Sequence, residues 1–569
     1  MLKRHKDYLF IFLLVIFGFF LYGLPSFYVP DETRYSEVAR EMLSGGSFIV
    51  PHVNGIVFFH KPPIIYWLTS FFMNIFGENT WGGRLVNPVL LLFCLMFVYY
   101  AVRLVLKSRA VAMLSTVITM TTIMILFVGR YLDIDLGIAV FLNLTLLSYW
   151  ISLNYDDNYR KSTCWLIIAF VFSGLAVMTK GLMGIVFPMA IVGIYSIVML
   201  EWKRLFDIRL YLGLIIVLVI SVPWIVAVDD RYHGFAYYYI MVQQVLRYAT
   251  DSQDRDISII IYFLASMAAF FPWTFFLPQA LRKFFSKKRF KDRKNNRLEW
   301  FLFIWGSFIF VFFAMSKSFL FGYLAPLILP FGILIAIYIN RLSKRNFSKF
   351  DKLSIIVPTF IFALLPIASV VVLALPIVKG YIWQVAILLL PIFFVSIVVV
   401  FIVVNAIKKQ ELKKIVVCFS VVMIFVANFG YGVGQYLDGK NVEKFAEDIN
   451  IIAKKYPNIK LYASHRFYEI GFYTKKIPIM INDEQELDYA KSFKNSGSKE
   501  YMMSYDKFIN TWNSSKKLDL IVIRNKHNIH LRERDHAFAD YKKDIDRNKF
   551  FILDKTNYAT LVANKNISI

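Results

Sequence analysis

Cysteine is almost missing from this chain: Cys94, Cys164 and Cys418 are the only three in 569 residues, and each falls inside an apolar run. None can staple a polar segment, and no Cys/His grouping has zinc-finger spacing. Carboxylates are also scarce, 39 Asp and Glu against 64 Lys and Arg, for a formal net charge of +25. Charged residues of both signs make up only 18% of the chain. Residues 1–435 show no short-period repeat.

What the chain has in excess is hydrocarbon. It is 58% hydrophobic and 18% aromatic, above the roughly one-half apolar share of soluble domains. Apolar runs long enough to cross about 30 Å of lipid recur about thirteen times. They lie near 8–24, 85–106, 110–128, 136–153, 163–178, 184–200, 210–228, 257–280, 300–315, 322–340, 353–376, 381–406 and 415–435. Lys3, Arg4 and Lys6 before the first run suggest a signal peptide, but Leu24-Pro-Ser-Phe is a poor cleavage site and many runs follow. The first run therefore reads as an uncleaved helix.

The basic residues orient these spans. With the N-terminus in the cytoplasm, the inner loops 1–7, 107–109, 154–162, 201–209, 282–297, 341–352 and 408–414 carry 28 Lys and Arg. The outer loops, 25–84 foremost, carry 11. This split predicts a membrane protein with a cytoplasmic N-terminus and its tail on the outer side of the membrane. The positive charge is then a topology and anionic-lipid signal, not a nucleic-acid one. Arg282–Arg297, with nine basic residues, is the densest patch.

The expected architecture is a polytopic α-helical membrane protein with a transmembrane domain over 1–435, a catalytic first external loop at 25–84, and an extracytoplasmic α/β domain over 436–569. In the tail, Asn441–Tyr456 has a helical apolar face of Val442, Phe445, Ala446, Ile449 and Ile452. Lys460–Ser464, Ile477–Ile481, Leu518–Ile523 and Tyr558–Ala563 read as strands. The tail offers neither a nucleotide loop nor a catalytic triad, and its simplest role is a structural or docking lid.

The chemistry-bearing residues fall on the expected outer face. Val29-Pro-Asp-Glu-Thr-Arg-Tyr-Ser-Glu-Val-Ala-Arg-Glu-Met opens the first loop, followed by Val50-Pro-His-Val-Asn-Gly and His60-Lys-Pro-Pro-Ile-Ile-Tyr-Trp67. A short helix is expected after Asp31, burying Tyr35, Val38, Ala39 and Met42 and exposing Glu37, Arg40 and Glu41. Asp31 either caps that helix or serves a site. Asp133 and Asp135 lie in Gly129-Arg-Tyr-Leu-Asp-Ile-Asp-Leu; the pair lacks the context of a nucleotide-sugar metal site, and either is alternatively a helix-dipole partner. Lys61, Lys180, Arg247 and Lys317 stand at span ends, either snorkelling or gripping anionic head groups through charge-assisted bonds.

The ordered first-loop motif resembles the polyprenyl-phosphate-dependent transferases of the C-type glycosyltransferase superfamily, above all the undecaprenyl-phosphate aminoarabinose:lipid A transferase family. That family reads roughly D-E-x-R-Y-x-E-x-A-R-E-M, then V-P-H-x-N-G and F-E-K-P-P-x-x-Y-W. The resemblance implies transfer of a sugar from undecaprenyl phosphate to lipid A or another lipid acceptor, in a membrane and with no nucleic acid. It implies Asp31, Asp135 and Lys61 as catalytic residues, and Glu32, Arg34, His60, Lys180, Arg247, Lys317 and Tyr323 as substrate-binding ones. Three departures stand out. The family's F-E-K-P is Phe59-His60-Lys61-Pro62; the histidine three before its arginine is Gln244; and S-K-x-K-L-P-x-Y is Ser316-Lys-Ser-Phe-Leu-Phe-Gly-Tyr323. The first two remove the glutamate and histidine that would hold a divalent metal, so no cofactor is assigned and a metal stays open. A protein O-mannosyltransferase-like enzyme and a lipid or sugar flippase are the competing readings. Against a flippase stand the large polar loop and tail, and acidic residues gathered at one face.

Overall fold

The computed structural model describes residues 2–246, 258–316, 319–438, 442–481, 487–526 and 536–567. Packing divides the chain into two compact units, one of residues 1–22, 84–226 and 240–434, the other of 23–83, 227–239 and 435–569.

The first unit is helical. Among the described residues, nine helices are long and apolar enough to cross a membrane, from Thr80–Leu106 to Leu412–Leu437. Further apolar helices complete the runs read in the sequence: Leu2–Phe19, Arg109–Met120, Met183–Met199 and a bent pair. The 257–280 run, expected to be one span, is Ile259–Ala269 followed by Trp273–Phe285 at 99°. Pro272 sits at the break, where its missing N–H cannot continue the ladder. The 110–128 run is likewise two helices, because the Thr122 hydroxyl accepts from Ile125 N and starts a new one. Ile134–Asn154 is the central helix, buried along its whole apolar window. Cys94 and Cys418 are buried, Cys164 is exposed, and all three are free thiols.

The second unit joins the first loop to the tail. The tail carries a six-stranded sheet of β3 (Lys460–Ala463), β4 (Ile479–Ile481), β5 (Met502–Met503), β6 (Asp519–Arg524), β7 (Phe551–Lys555) and β8 (Ala559–Ala563), in the order β5-β4-β3-β6-β8-β7. β3 runs parallel to β4 and β6, with Leu461 opposite Leu520, while β8 is antiparallel to β6 and β7. One face packs Phe445, Ile449, Leu461 and Leu520; the other packs Tyr462, Phe508, Trp512 and Ile521. Sequence reading missed β5, too short for a periodic signal, and β7, whose alternate residues are only half-buried.

Helix Asp31–Leu43 packs on Ile64–Phe76 and on Tyr468–Thr474. Between these elements a two-residue hairpin joins β1 (His52–Val53) and β2 (Ile56–Val57). Its corner, Asn54-Gly55, has φ of 50° and 72°, the left-handed geometry that Asn-Gly supplies in such turns.

Helix Tyr468–Thr474 also buries Glu469, and among the described residues neither carboxyl oxygen has a hydrogen-bond partner. Burial pushes this group up to about 8 from 4.5. Near neutrality it is protonated when folded and ionised when unfolded. The unfolded chain therefore binds fewer protons between about pH 4.5 and 8, and stability falls as pH rises through that window. Glu469→Gln removes the dependence and is expected to stabilise the tail by roughly 4 kcal/mol more at pH 8 than at pH 5. Hydrogen-exchange protection of the sheet measures this; equal gains at both pH values would show that Glu469 ionises freely.

Candidate active site

The loop helix carries four carboxylates, and the structure sorts them by role. Glu32 is fully buried and accepts Tyr28 N at 2.8 Å, closing the turn through Pro30. Glu37 takes two bonds from Arg40, both 2.7 Å, a bidentate pair out of solvent. Glu41 accepts Gly55 N through both oxygens at 3.1 Å and so pins the hairpin; burial, with Glu37 beside it, raises this carboxyl well above its usual range. Only Asp31 keeps access to solvent, with its side chain 41% exposed.

These contacts correct the expectation that Glu37, Arg40 and Glu41 form an exposed face. All three are buried, because Tyr468–Thr474 covers the side that an isolated amphipathic helix would show to water. Gly471 makes the approach close: a Cβ there would meet Glu37 Oε1 at 2.6 Å and Asn54 Oδ1 at 2.7 Å. Nor is Asp31 a side-chain cap. Pro30 holds the cap position, and Asp31 Oδ1 instead accepts Arg34 Nη2 at 2.5 Å. Arg34 lies 5.0 Å from the Tyr35 ring and is mostly buried, so the carboxylate is aimed by a fixed guanidinium.

Lys61 is half-buried, between His60 and the buried Pro62 and Pro63, and the prolines restrict the backbone that carries it. Phe59 anchors the approach to this corner in a cluster of Tyr232, Phe235, Tyr489 and Phe493, with ring centroids 5.2–5.6 Å away. His60 Nε2 lies 3.4 Å from the Tyr238 hydroxyl, and Tyr238 stacks flat on Tyr489 at 3.6 Å. Sequence reading did not single out Tyr238. The Tyr237-Tyr238-Tyr239 run was its one visible trace.

The helical unit holds a second constellation. Asp133 caps Ile134–Asn154, accepting Ile134 N at 2.6 Å. Asp135, two residues on, is buried and forms an ion pair with Lys180, whose ammonium also lies 4.1 Å from the Tyr323 ring. The D-x-D is thus divided between a cap and an ion pair. The preceding turn is fixed by Asn87, whose amide donates to Val128 O and Tyr131 O at 3.1 and 2.6 Å. Two glycines make room. At Gly322 a Cβ would overlap the Asp135 carboxylate; at Gly181, which has φ of 91°, one would overlap the Gln244 amide. Neither close approach has a sequence signature.

Arg247 and Lys317, expected as further cations of the site, lie outside the described residues. Among the described residues no group of three or more His, Cys, Asp or Glu side chains could hold a metal ion. Among the described residues, His60 and Gln244 stand where the family pattern has the glutamate and histidine of a metal site, and neither belongs to a set that could hold a metal ion.

The chain is similar to several known proteins. Residues 9–239 match the family described as dolichyl-phosphate-mannose-protein mannosyltransferase. The undecaprenyl phosphate-alpha-4-amino-4-deoxy-L-arabinose arabinosyl transferase of Edwardsiella ictaluri is 27% identical over 317 residues, 56% of either chain. The transferase of that name from Enterobacter sp. is 30% identical over 340 residues, 58% of this chain and 59% of its own. The matched region thus spans a little over half the length of these relatives. The crystal structure of ArnT from Cupriavidus metallidurans bound to undecaprenyl phosphate superimposes with a TM-score of 0.81 at 21% identity, over 98% of this chain and 97% of that one. The chain therefore shares the fold of that structure, and its sequence is similar to the mannosyltransferase model over residues 9–239 and to the aminoarabinose transferases over a little more than half its length.

Proposed function

We propose that this protein transfers a sugar from undecaprenyl phosphate to lipid A at the outer face of the bacterial inner membrane. The sugar is an amino sugar such as 4-amino-4-deoxyarabinose or a hexosamine. The names of the relatives support the donor and the sugar class. The observation that carries the reading is the sorting of the loop-helix carboxylates: three are consumed by structure, and Asp31 is left exposed and aimed by Arg34.

In this reaction the bond between the anomeric carbon and the phosphate oxygen breaks, undecaprenyl phosphate leaves, and an acceptor oxygen takes its place on the sugar. A phosphate is already a good leaving group, so no general acid is required. Positioning and electrostatic stabilisation of the departing phosphate supply most of the rate. Lys61 is the phosphate ligand in the loop. Lys180, steered by Asp135 and Tyr323, is the corresponding cation of the helical unit, with Arg247 and Lys317 as further anion ligands. A lipid A phosphate acceptor is already an anion and needs no base; Asp31 then orients it or holds the sugar amine. A hydroxyl acceptor would need Asp31 as general base.

The family matched over residues 9–239 favours a second reading, glycosylation of protein Ser or Thr from a polyprenyl donor. Purified protein supplied with labelled undecaprenyl-phosphate sugar is expected to label extracted lipid A and not a Ser/Thr peptide. Label in the peptide alone selects the second reading, and label in neither refutes both.

The reading also needs residues 1–435 to present the loop 25–84 outside the cytoplasm, with 436–569 on the same side. A reporter active only outside the cytoplasm is expected to work when fused after Ile569 and to stay silent when fused at Asn295. The reverse pattern would put Asp31 on the cytosolic face and remove the mechanism.

A further inference from the structure

The basic segment 282–297 takes no part in the chemistry above. It folds as three short turns of helix, Arg282–Phe285, Lys287–Lys291 and Arg293–Asn296. They join the apolar limb Trp273–Phe285 to the apolar helix Arg293–Ala314, so the segment lies where membrane helices end. Several of its cations are committed internally. Lys283 pairs with Glu299, Arg289 Nη1 donates to Asn296 Oδ1 at 2.6 Å, and Arg293 Nε donates to Val198 O at 2.6 Å. Arg297 pairs with Asp156 at 2.6 Å.

Lys287, Lys288 and Lys291 differ. All three are exposed, and among the described residues their ammonium groups have no hydrogen-bond or ion-pair partner. Phe285 stands beside them at 78% exposure and Phe290 at 47%. Phe284 is buried against Phe303, with ring centroids 4.4 Å apart, and forms the floor. Together Phe284, Phe285, Ser286, Lys287, Phe290 and Lys291 line a shallow, open surface groove. Water alone would be a poor partner for this surface, because an exposed Phe side chain forgoes the burial that normally stabilises it. A purely apolar partner would leave the ammonium groups unpaired. An amphiphile with an anionic head satisfies both halves.

We propose that this groove binds an anionic phospholipid of the surrounding leaflet. Lys287 and Lys291 hold the phosphate, Lys288 adds to the local potential, and Phe285 and Phe290 lie against the glycerol and the first acyl carbons. Lysines near an anionic bilayer surface each contribute measurably, and the phenylalanines distinguish a seated lipid from a diffuse ion cloud. The proposal is independent of the transfer reaction.

Native mass spectrometry of the full chain, released from nanodiscs of phosphatidylcholine titrated with phosphatidylglycerol, tests it. Wild type is expected to retain phosphatidylglycerol in preference to phosphatidylcholine, and inorganic phosphate is expected not to compete at equal concentration. Lys287→Gln with Lys288→Gln and Lys291→Gln should weaken retention tenfold or more. The corresponding triple Arg variant should keep it, which separates charge from misfolding. Phe285→Ser should weaken it several-fold at unchanged net charge. Equal retention of the two lipids, effective competition by inorganic phosphate, or full retention by the triple Gln variant overturns the site. So does an unchanged Phe285→Ser, which would reduce the effect to diffuse electrostatics.

Discussion

Asp31→Asn is expected to lower sugar transfer by roughly a hundredfold or more if the carboxylate moves a proton in the transition state, while the protein stays folded and present in membranes at wild-type abundance. The structural cost is small because an asparagine oxygen can still accept from Arg34 Nη2, the bond Asp31 makes now. The lost ion pair is part-exposed, a class worth about 0–1 kcal/mol. Helix initiation is also untouched, because Pro30 rather than Asp31 holds the cap position. The measurement is transfer rate at saturating donor alongside a melting curve in detergent. Near-wild-type turnover would reduce Asp31 to a partner for Arg34. A loss confined to acceptor affinity would assign it to orienting the acceptor rather than to proton transfer.

The second large effect concerns Asp135 and Lys180. Both are buried, at 6% and 11% side-chain exposure, and each neutralises the other. Asp135→Asn leaves the ammonium without its counter-charge, and Lys180→Met does the same to the carboxylate. Breaking one side of such a pair costs about 3–5 kcal/mol, whereas replacing both sides by apolar groups of similar volume is often near neutral. Each single variant should therefore melt well below wild type, and Asp135→Leu combined with Lys180→Met should recover most of the loss. Transfer separates structure from function: the double variant is expected to fold but remain inactive, because the Lys180 ammonium beside Tyr323 is gone. Recovery of activity along with stability would make the pair a strut of the helical unit and nothing more.

The helical unit and the tail sheet were legible in the sequence because their signals are local. Apolar length announces a span, and short apolar runs bounded by polar residues announce β3, β6 and β8. The breaks at Pro272 and Thr122 also had local causes, but a hydropathy run averages over them. The loop helix was legible in its existence and not in its environment. Its polar face suggested water, yet Glu37, Arg40 and Glu41 are buried under a segment more than 400 positions away in the chain, and nothing in residues 31–43 encodes that cover. The same limit applies to the site. Asp135 and Lys180 were each visible as a charge beside an apolar run, but their pairing is set by how two helices pack. Gly322 and Gly181 matter only as space for a neighbour.

The loop and the tail share one compact unit although some 350 residues of chain are made between them. After Gly83 leaves the ribosome, roughly 350 residues must follow before Gln435 begins the tail, an interval of about 20–70 s at ordinary elongation rates. Throughout that time the acidic helix lacks the residues that cover Glu37 and Arg40. The nascent loop therefore passes through a long unpartnered stage, and a cell short of the factors that shelter such intermediates would lose this protein during biogenesis, before any defect in its finished form could matter.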